Sequence, residues 1–152
     1  MSARPQNPIA PYLLLAGVWL LTISILPPRG DFPLNDDWIY GKIVEHLHET
    51  GEYRSNPYGD PAFIAQAYWG LFFVKLFGFS FETLRLSTLV LALVAGWATC
   101  WCAREAGLSP GWAILCGLTL LVNPMFVNLS YTFMTDVPFV ALCALAGAAY
   151  LR

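Results

Sequence analysis

Three aspartates are the residues of this 152-residue chain best suited to acid–base chemistry. Asp36 and Asp37 are adjacent and follow a long apolar run, and Asp136 precedes another one. A carboxylate beside a bilayer is costly unless it has a task or a partner, so these residues suggest a general base or a cation ligand. Helix capping is the alternative, because free N–H groups and the helix dipole stabilise aspartate at a helix start.

The other reactive side chains give weaker signals. Arg85 lies between two leucines at the start of an apolar run, where it could bind an anionic head group or extend its charge to the interface. His46 and His48 are two residues apart on a predicted helix, so they point in different directions and do not form a metal-binding pair. The four cysteines all lie in apolar runs, which favours small buried side chains over disulfides.

The composition indicates that lipid is the solvent for much of the surface. Hydrophobic residues make up 57% of the chain and charged residues 12%, whereas a soluble domain has about half and about a quarter. The net charge of −2 offers no basic stripe for nucleic acid, so no nucleic-acid partner is expected. We therefore expect an integral membrane protein.

Apolar runs predict four membrane-spanning helices, at about residues 9–26, 86–102, 112–129 and 137–151. The first is predicted to stay uncleaved, because the residues after it lack the small-x-small pattern of a signal-peptidase site. A loop at about 27–85 separates the first two spans. Within it, apolar residues from Trp38 to Leu47 recur at helical spacing, which predicts an amphipathic helix that begins at Asn35-Asp36-Asp37 and ends at Gly51.

The apolar segment Ala62–Phe79 decides whether the three aspartates can act together. If it crosses the membrane, Asp36 and Asp37 lie on one face and Asp136 on the other. If it lies along the surface or dips into it, all three share one face. Lysine and arginine are distributed too evenly along the chain to decide between these topologies.

Several motifs resemble those of the GT-C glycosyltransferases, in the branch that contains protein O-mannosyltransferases and the lipid A aminoarabinose and galacturonic acid transferases. The stretch 35–40, Asn-Asp-Asp-Trp-Ile-Tyr, followed by Leu47 and Gly51, resembles that family's first-loop motif. Phe77-Gly78 with Leu84-Arg85-Leu86 is similar to its Phe-Gly and Arg-Leu element, and Asn123-Pro124 with the stretch 133–139 resembles its second acidic motif.

Two positions depart from the family pattern. Asp37 stands where the family more often has glutamate, and the family's Lys-Pro-Pro element is absent around Asp60-Pro61-Ala62. The donor phosphate contact that this element makes in some members must therefore come from elsewhere.

The resemblance implies an all-α, polytopic transmembrane helix bundle with surface-lying helices in the first external loop. In that arrangement both acidic motifs face outward and Ala62–Phe79 does not cross. It also implies an inverting glycosyltransferase of the bacterial inner (plasma) membrane. The enzyme would move a sugar from a polyprenyl-phosphate-linked donor to a lipid, glycan or protein acceptor at the outer face. Family members are several hundred residues long, so we expect this chain to be the N-terminal part and to be inactive alone.

The resemblance also suggests roles for individual residues. Asp36 would be the general base. Asp37 and Asp136 would orient Asp36 or the acceptor, or would hold a divalent cation, the only cofactor suggested. Tyr40 belongs to the first motif and Arg85 carries a charge suited to the lipid phosphate, so both are expected to bind substrate.

Two alternatives need no glycosyl transfer. A transporter or permease fragment could also have acids at a membrane edge, but such proteins place ionisable groups near mid-span, and the runs from Leu86 and Trp112 contain no acid. A non-catalytic membrane subunit would use the three aspartates as helix caps only, and would tolerate Asn or Ser there.

Overall fold

A computed structural model describes residues 9–58 and 63–152, and the described part is entirely helical, without strands. The all-α prediction is therefore confirmed for these residues. The departure noted at Asp60-Pro61-Ala62 lies outside them. The helices are α1 (Ala10–Ile25), α2 (Asp37–Thr50), α3 (Ile64–Phe77), α4 (Phe81–Glu105), α5 (Pro110–Leu121), α6 (Pro124–Ser130) and α7 (Asp136–Leu151).

Helix α4 is the central element, and α1, α3, α5 and α7 all pack against it. It begins at Phe81, five residues before the predicted span, because Ser80 caps it by accepting a hydrogen bond from the Thr83 N–H at 3.0 Å. The polar side chains of this first stretch lowered its apparent hydropathy but do not oppose helix formation. The apolar run therefore marked only the middle of the helix.

The helices α1, α4, α5, α6 and α7 form what we call the bundle. Its helices approach closely at small residues: a Cβ added to Gly117 of α5 would lie 2.9 Å from the carbonyl oxygen of Gly96 on α4. Two indole N–H groups satisfy backbone carbonyls across helices, from Trp19 to Leu89 at 3.0 Å and from Trp97 to Tyr12 at 2.9 Å. Small residues and such bonds are the usual means of helix association in lipid.

The predicted span at 112–129 is two helices, α5 and α6, which meet at a 60° bend. Pro124 has no N–H to continue the ladder. The Asn123 side chain instead caps α6, because its oxygen accepts hydrogen bonds from the N–H groups of Met125 (2.9 Å) and Phe126 (3.2 Å). The predicted span is therefore divided into two helices, and whether the bent pair crosses a membrane stays a prediction.

A second unit, the loop-side cluster, lies at one end of the bundle. It joins α2, α3 and the first turn of α4 around a core of Ile43, Val44, Leu47, Phe63, Ala67, Leu71, Val74, Leu84 and Phe133. Helix α2 has the predicted amphipathic pattern and ends where Gly51 takes a left-handed φ of 75°. Glycine adopts this conformation without a steric penalty.

Among the described residues, α4 is the one helix long and apolar enough to cross a membrane by itself, and α5 with α6 meets the same test as a bent pair. Three shorter apolar helices, α1, α3 and α7, do not reach that length. Many large apolar side chains are nevertheless exposed on α1, α5 and α7, among them Leu13, Leu21, Trp112, Phe139 and Leu142. These features give limited support for membrane association, and the four-span arrangement stays a prediction.

Candidate functional site

The two acidic motifs meet at one end of the bundle. The Oδ1 atom of Asp37 accepts a hydrogen bond of 2.8 Å from the backbone N–H of Phe133, which is 96 residues away along the chain. Beside it, the Nδ2 atom of Asn35 lies 3.6 Å from the Sδ atom of Met134. The first motif therefore contacts the residues that lead directly into Asp136. This is the arrangement in which all three aspartates share one end of the molecule.

Helix α3 stays at that same end. At its start, the ring of Phe63 lies 5.7 Å from the ring of Phe133. Further along, the Trp69 indole N–H donates to the Ser87 carbonyl at 3.0 Å, and Ser87 is only seven residues into α4. Since α3 then ends just before α4 begins, it packs across the first turns of α4 and does not run along that helix's length. Whether this segment crosses a membrane stays a prediction.

Asp37 is fully buried. Its two oxygens accept from the backbone N–H groups of Phe133 at 2.8 Å and Leu34 at 3.4 Å. Burial raises the pKa of this carboxyl from 3.8 to about 6, against the opposing effects of these two hydrogen bonds and the positive charge of Arg85. The side chain thus joins the two motifs from inside. Its expected role in orienting Asp36 or the acceptor stays a prediction.

Asp36 and Asp136 are the exposed members of the set. Asp36 directly precedes α2 and makes no side-chain capping bond to it. Asp136 is the first residue of α7, where the positive end of the helix dipole favours its negative charge. Capping hydrogen bonds therefore do not account for Asp36, and both carboxylates lie at the surface of the end where the motifs meet.

Arg85 is almost fully buried and binds the loop that precedes Asp36. Its guanidinium donates to the carbonyls of Gly30, at 2.6 Å, and Phe32, and its carbon lies 5.2 Å from the centre of the Phe32 ring. Its expected contact with a donor phosphate stays a prediction. Its two terminal nitrogens hold the chain, since strong charge-assisted bonds fix the loop in place, whereas its Nε atom is buried without a hydrogen-bond partner within the described residues.

Two acids that sequence reasoning passed over complete this attachment. The Oδ1 atom of Asp31 accepts from the backbone N–H of Phe81 at 2.8 Å, and Glu82 accepts from the backbone N–H of Gly30. Residues 30–32 are thereby bonded in both directions to the first turn of α4. We call this set of bonds the loop latch; it sets where the chain enters the first acidic motif.

Tyr40 lies in the wall between the two motifs. It is half-buried, and its ring centre is 4.5 Å from that of Phe63. Phe63 in turn packs edge-to-face against Phe133. These contacts place Tyr40 next to both motifs and within the aromatic packing, and its role in substrate binding stays a prediction.

Gln66 is a further residue at this junction that the sequence did not single out. It is 7% exposed, and its Nε2 atom donates to the Met134 carbonyl at 2.9 Å. Its Oε1 atom is buried without a hydrogen-bond partner within the described residues. A lone amide in the apolar run of α3 was the available signal, because a buried polar group normally has a specific partner.

Within residues 9–58 and 63–152, no three side chains of His, Cys, Asp and Glu gather in a group that could hold a metal ion. The expected alternative in which the aspartates together hold a divalent cation therefore has no support in this geometry.

Comparisons of the chain with family models, with curated proteins and with solved structures found no match. The likeness to the GT-C glycosyltransferases rests on the motif residues alone, and what it implies is a proposal.

Proposed function

We propose that this chain is the N-terminal part of an inverting membrane glycosyltransferase that uses a polyprenyl-phosphate-linked sugar as donor. The observation that supports the proposal best is the hydrogen bond between Asp37 and Phe133. It brings two motifs distant in sequence to one end of the bundle and leaves Asp36 and Asp136 exposed there. A transferase needs such a convergence, because base, acceptor and donor must meet at one point.

In this proposal Asp36 is the general base. Its carboxylate takes the proton of the acceptor hydroxyl as that oxygen forms a bond to the anomeric carbon. The bond from that carbon to the lipid phosphate breaks, and the phosphate leaves with the electron pair. An aspartate can do this near neutral pH because it needs only to share the proton as the new bond forms.

Asp37 is then a positioning residue. It is fixed to both motifs by backbone N–H groups, so it holds the start of α2, and with it Asp36, against the second motif. Asp136 lies three residues beyond Phe133 and would form the opposite wall of the acceptor site. The remaining donor and acceptor contacts would come from parts of a longer protein.

The proposal includes a membrane arrangement in which α1, α4, the bent pair α5–α6 and α7 cross the bilayer and α3 does not. The loop-side cluster then faces outward from a bacterial inner membrane. The exposed apolar side chains of the bundle support contact with lipid. The packing of α3 across the first turns of α4 supports a segment that remains at the outer face.

A non-catalytic membrane subunit is the second candidate, and one observation favours it. Both carboxylate oxygens of Asp37 accept hydrogen bonds from backbone N–H groups. At least one residue of the acidic motifs therefore has a sufficient structural reason to be an acid. The two candidates differ in what they require of Asp36, which makes no capping bond.

The decisive experiment replaces Asp36 by Asn in the full-length protein and measures transfer of radiolabelled sugar from polyprenyl-phosphate-linked donors in membranes. We expect loss of activity by about 100-fold or more, the usual contribution of a general base. Glu49→Gln, at an exposed acid on α2, the helix that Asp36 directly precedes, is the matched control and should keep full activity. Full activity of Asp36→Asn at normal expression would overturn the catalytic assignment and leave the structural subunit.

The membrane arrangement has its own test, by cysteine labelling in a background without the four native cysteines. Single cysteines at His48, on α2, and at Asp136 should both react with a membrane-impermeant thiol reagent on intact cells. A cysteine at Ser109, between α4 and α5, should react only after permeabilisation. Labelling of His48 and Asp136 from opposite sides would separate the two motifs and exclude a joint site.

A further inference from the structure

We propose that a cavity between α2 and the chain that follows it binds the phosphate group of an anionic membrane lipid. The cavity has a volume of about 210 Å³ and is lined by Lys42, His46, Arg54, Ser55 and Asn56, with apolar contributions from neighbouring residues. It is separate from the junction of the acidic motifs and does not depend on sugar transfer.

Three basic side chains converge there from two elements. Lys42 and His46 are four residues apart on α2 and therefore lie on one face of that helix. Gly51 then takes a left-handed φ of 75°, which ends the helix and lets the following chain fold back so that Arg54 faces the same cavity. The convergence is a consequence of tertiary structure, since Arg54 is twelve residues from Lys42 in the sequence.

Within the part of the chain that the structure describes, no residue lining this cavity neutralises its charge. None of its lining residues is an acid. The nearest acids on the same helix, Glu45 and Glu49, lie outside the lining. Within the described residues, no ion pair engages Lys42 or Arg54. The ammonium of Lys42 instead lies 5.4 Å from the centre of the Trp38 ring, a contact that orients it but leaves its charge uncompensated.

The donors match a phosphate group in number and kind. A guanidinium can form two parallel hydrogen bonds to phosphate oxygens, and an ammonium adds a compact charge. The Ser55 hydroxyl and the His46 ring offer further donors at the rim. Because a water takes about 30 Å³ of liquid, a cavity of this size holds a hydrated phosphate group but not a whole lipid headgroup with its chains. The rest of the ligand would therefore extend outside.

The position of α2 indicates a lipid as the source of that phosphate. It is an amphipathic helix packed beside α3, which exposes Phe72, Leu76 and Phe77. Such a helix lies where lipid phosphates are concentrated, and basic residues at that level attract anionic headgroups. Inorganic phosphate is the other source of the same chemistry, and the experiment distinguishes the two.

The chain contains two histidines, His46 in the cavity and His48 exposed, so histidine-labelled NMR supplies a probe and an internal reference. The purified full chain in neutral micelles is titrated at constant pH with dihexanoyl phosphatidylglycerol, dihexanoyl phosphatidylcholine or inorganic phosphate. We expect phosphatidylglycerol to shift the His46 ring signals saturably while those of His48 barely move. Phosphatidylcholine should move neither.

Charge variants test the same site. Lys42→Gln and Arg54→Gln should each weaken phosphatidylglycerol binding by about tenfold, as expected for loss of a charge-assisted bond. Lys75→Gln, an exposed lysine on α3, should leave the affinity unchanged. Equal affinity for inorganic phosphate would overturn the lipid as source. Absence of a saturable His46 response, or an equal response from His48, would overturn the site.

Discussion

The bundle and the loop-side cluster are held together by different forces. In the bundle, small residues let the backbones of α4 and α5 approach closely at Gly96 and Gly117. Beyond the first turn of α4, the buried hydroxyl groups of α4 and α6 donate to carbonyls of their own helices and not across the bundle. In the loop-side cluster, large aromatic rings surround three buried polar side chains, Asp37, Gln66 and Arg85.

The structure of the bundle is therefore specified by the shapes of its packed residues, and that of the candidate site by hydrogen bonds. Apolar packing is tolerant of direction, so it can bring the ends of helices together without fixing their loops. Buried polar groups demand particular partners and therefore fix the loops that carry the acidic motifs. The same dependence makes the loop-side cluster sensitive to single charges, whereas the bundle is sensitive to added volume.

The largest expected effect on stability comes from breaking the loop latch. Arg85→Met keeps an unbranched apolar stem but removes the guanidinium and leaves the Gly30 and Phe32 carbonyls without their donor, so we expect a loss of about 3 kcal/mol in the free energy of unfolding. Reversible unfolding in mixed micelles measures it. The control Lys75→Met, at an exposed position, should change the free energy of unfolding little. A loss for Arg85→Met no greater than the control's would mean that the latch does not stabilise the fold.

A smaller effect should come from overpacking the bundle. The methyl group of Gly117→Ala would meet the Gly96 carbonyl at 2.9 Å, a contact with backbone that cannot rotate away, so we expect a loss of about 2 kcal/mol. Gly17→Ala in α1 is the matched control, because its Cβ would have nothing within 4 Å. Equal stability of the two variants would show that α4 and α5 are less tightly packed than described.

The smallest effect concerns pH. The pKa of Asp37 is raised in the fold from 3.8 to about 6, so the folded state binds the proton more tightly than the unfolded chain. Its stabilising contribution is complete below pH 3.8 and is lost as the pH rises through 6. Between pH 7 and pH 5 we expect stability to increase by about 1 kcal/mol from this group.

Comparison with Asp37→Asn isolates that contribution, because the other charged groups titrate alike in both proteins. The difference in unfolding free energy between the natural protein and the variant should change with pH in that window. A difference that stays constant from pH 7 to pH 5 would mean that Asp37 keeps an ordinary pKa. Arg85 and Asp36, the charged neighbours that act on this carboxyl in opposite directions, must be retained in both.

The predictable part of the fold followed from local patterns. Helix α2 could be predicted because its apolar residues recur at helical spacing and Gly51 marks its end. The start of α4 could not, since Glu82, Thr83 and Arg85 interrupt the apolar run although the helix continues through them. The α5–α6 bend was not predicted, because the apolar run continues through Pro124, whereas Asn123 caps a new helix in a different direction.

In the candidate site, too, local patterns predicted some features and missed those that depend on distant contacts. Residue types alone singled out the three aspartates, because a carboxylate beside a long apolar run is costly without a purpose. They could not separate the buried Asp37 from the exposed Asp36, since adjacent residues share every local pattern and differ only in what packs around them. The bonds from Arg85 to two backbone carbonyls could not be predicted for the same reason, because a charge in the sequence does not reveal which distant groups pack around it.

The sequence by itself determined the helical class and the residues able to do chemistry, because local spacing and side-chain type encode both. Only the tertiary structure decided that the two acidic motifs meet, that α3 stays at their end of the bundle, and that Lys42 and Arg54 face one cavity. Those outcomes depend on contacts between residues far apart in the chain, and such contacts follow from how the whole chain packs.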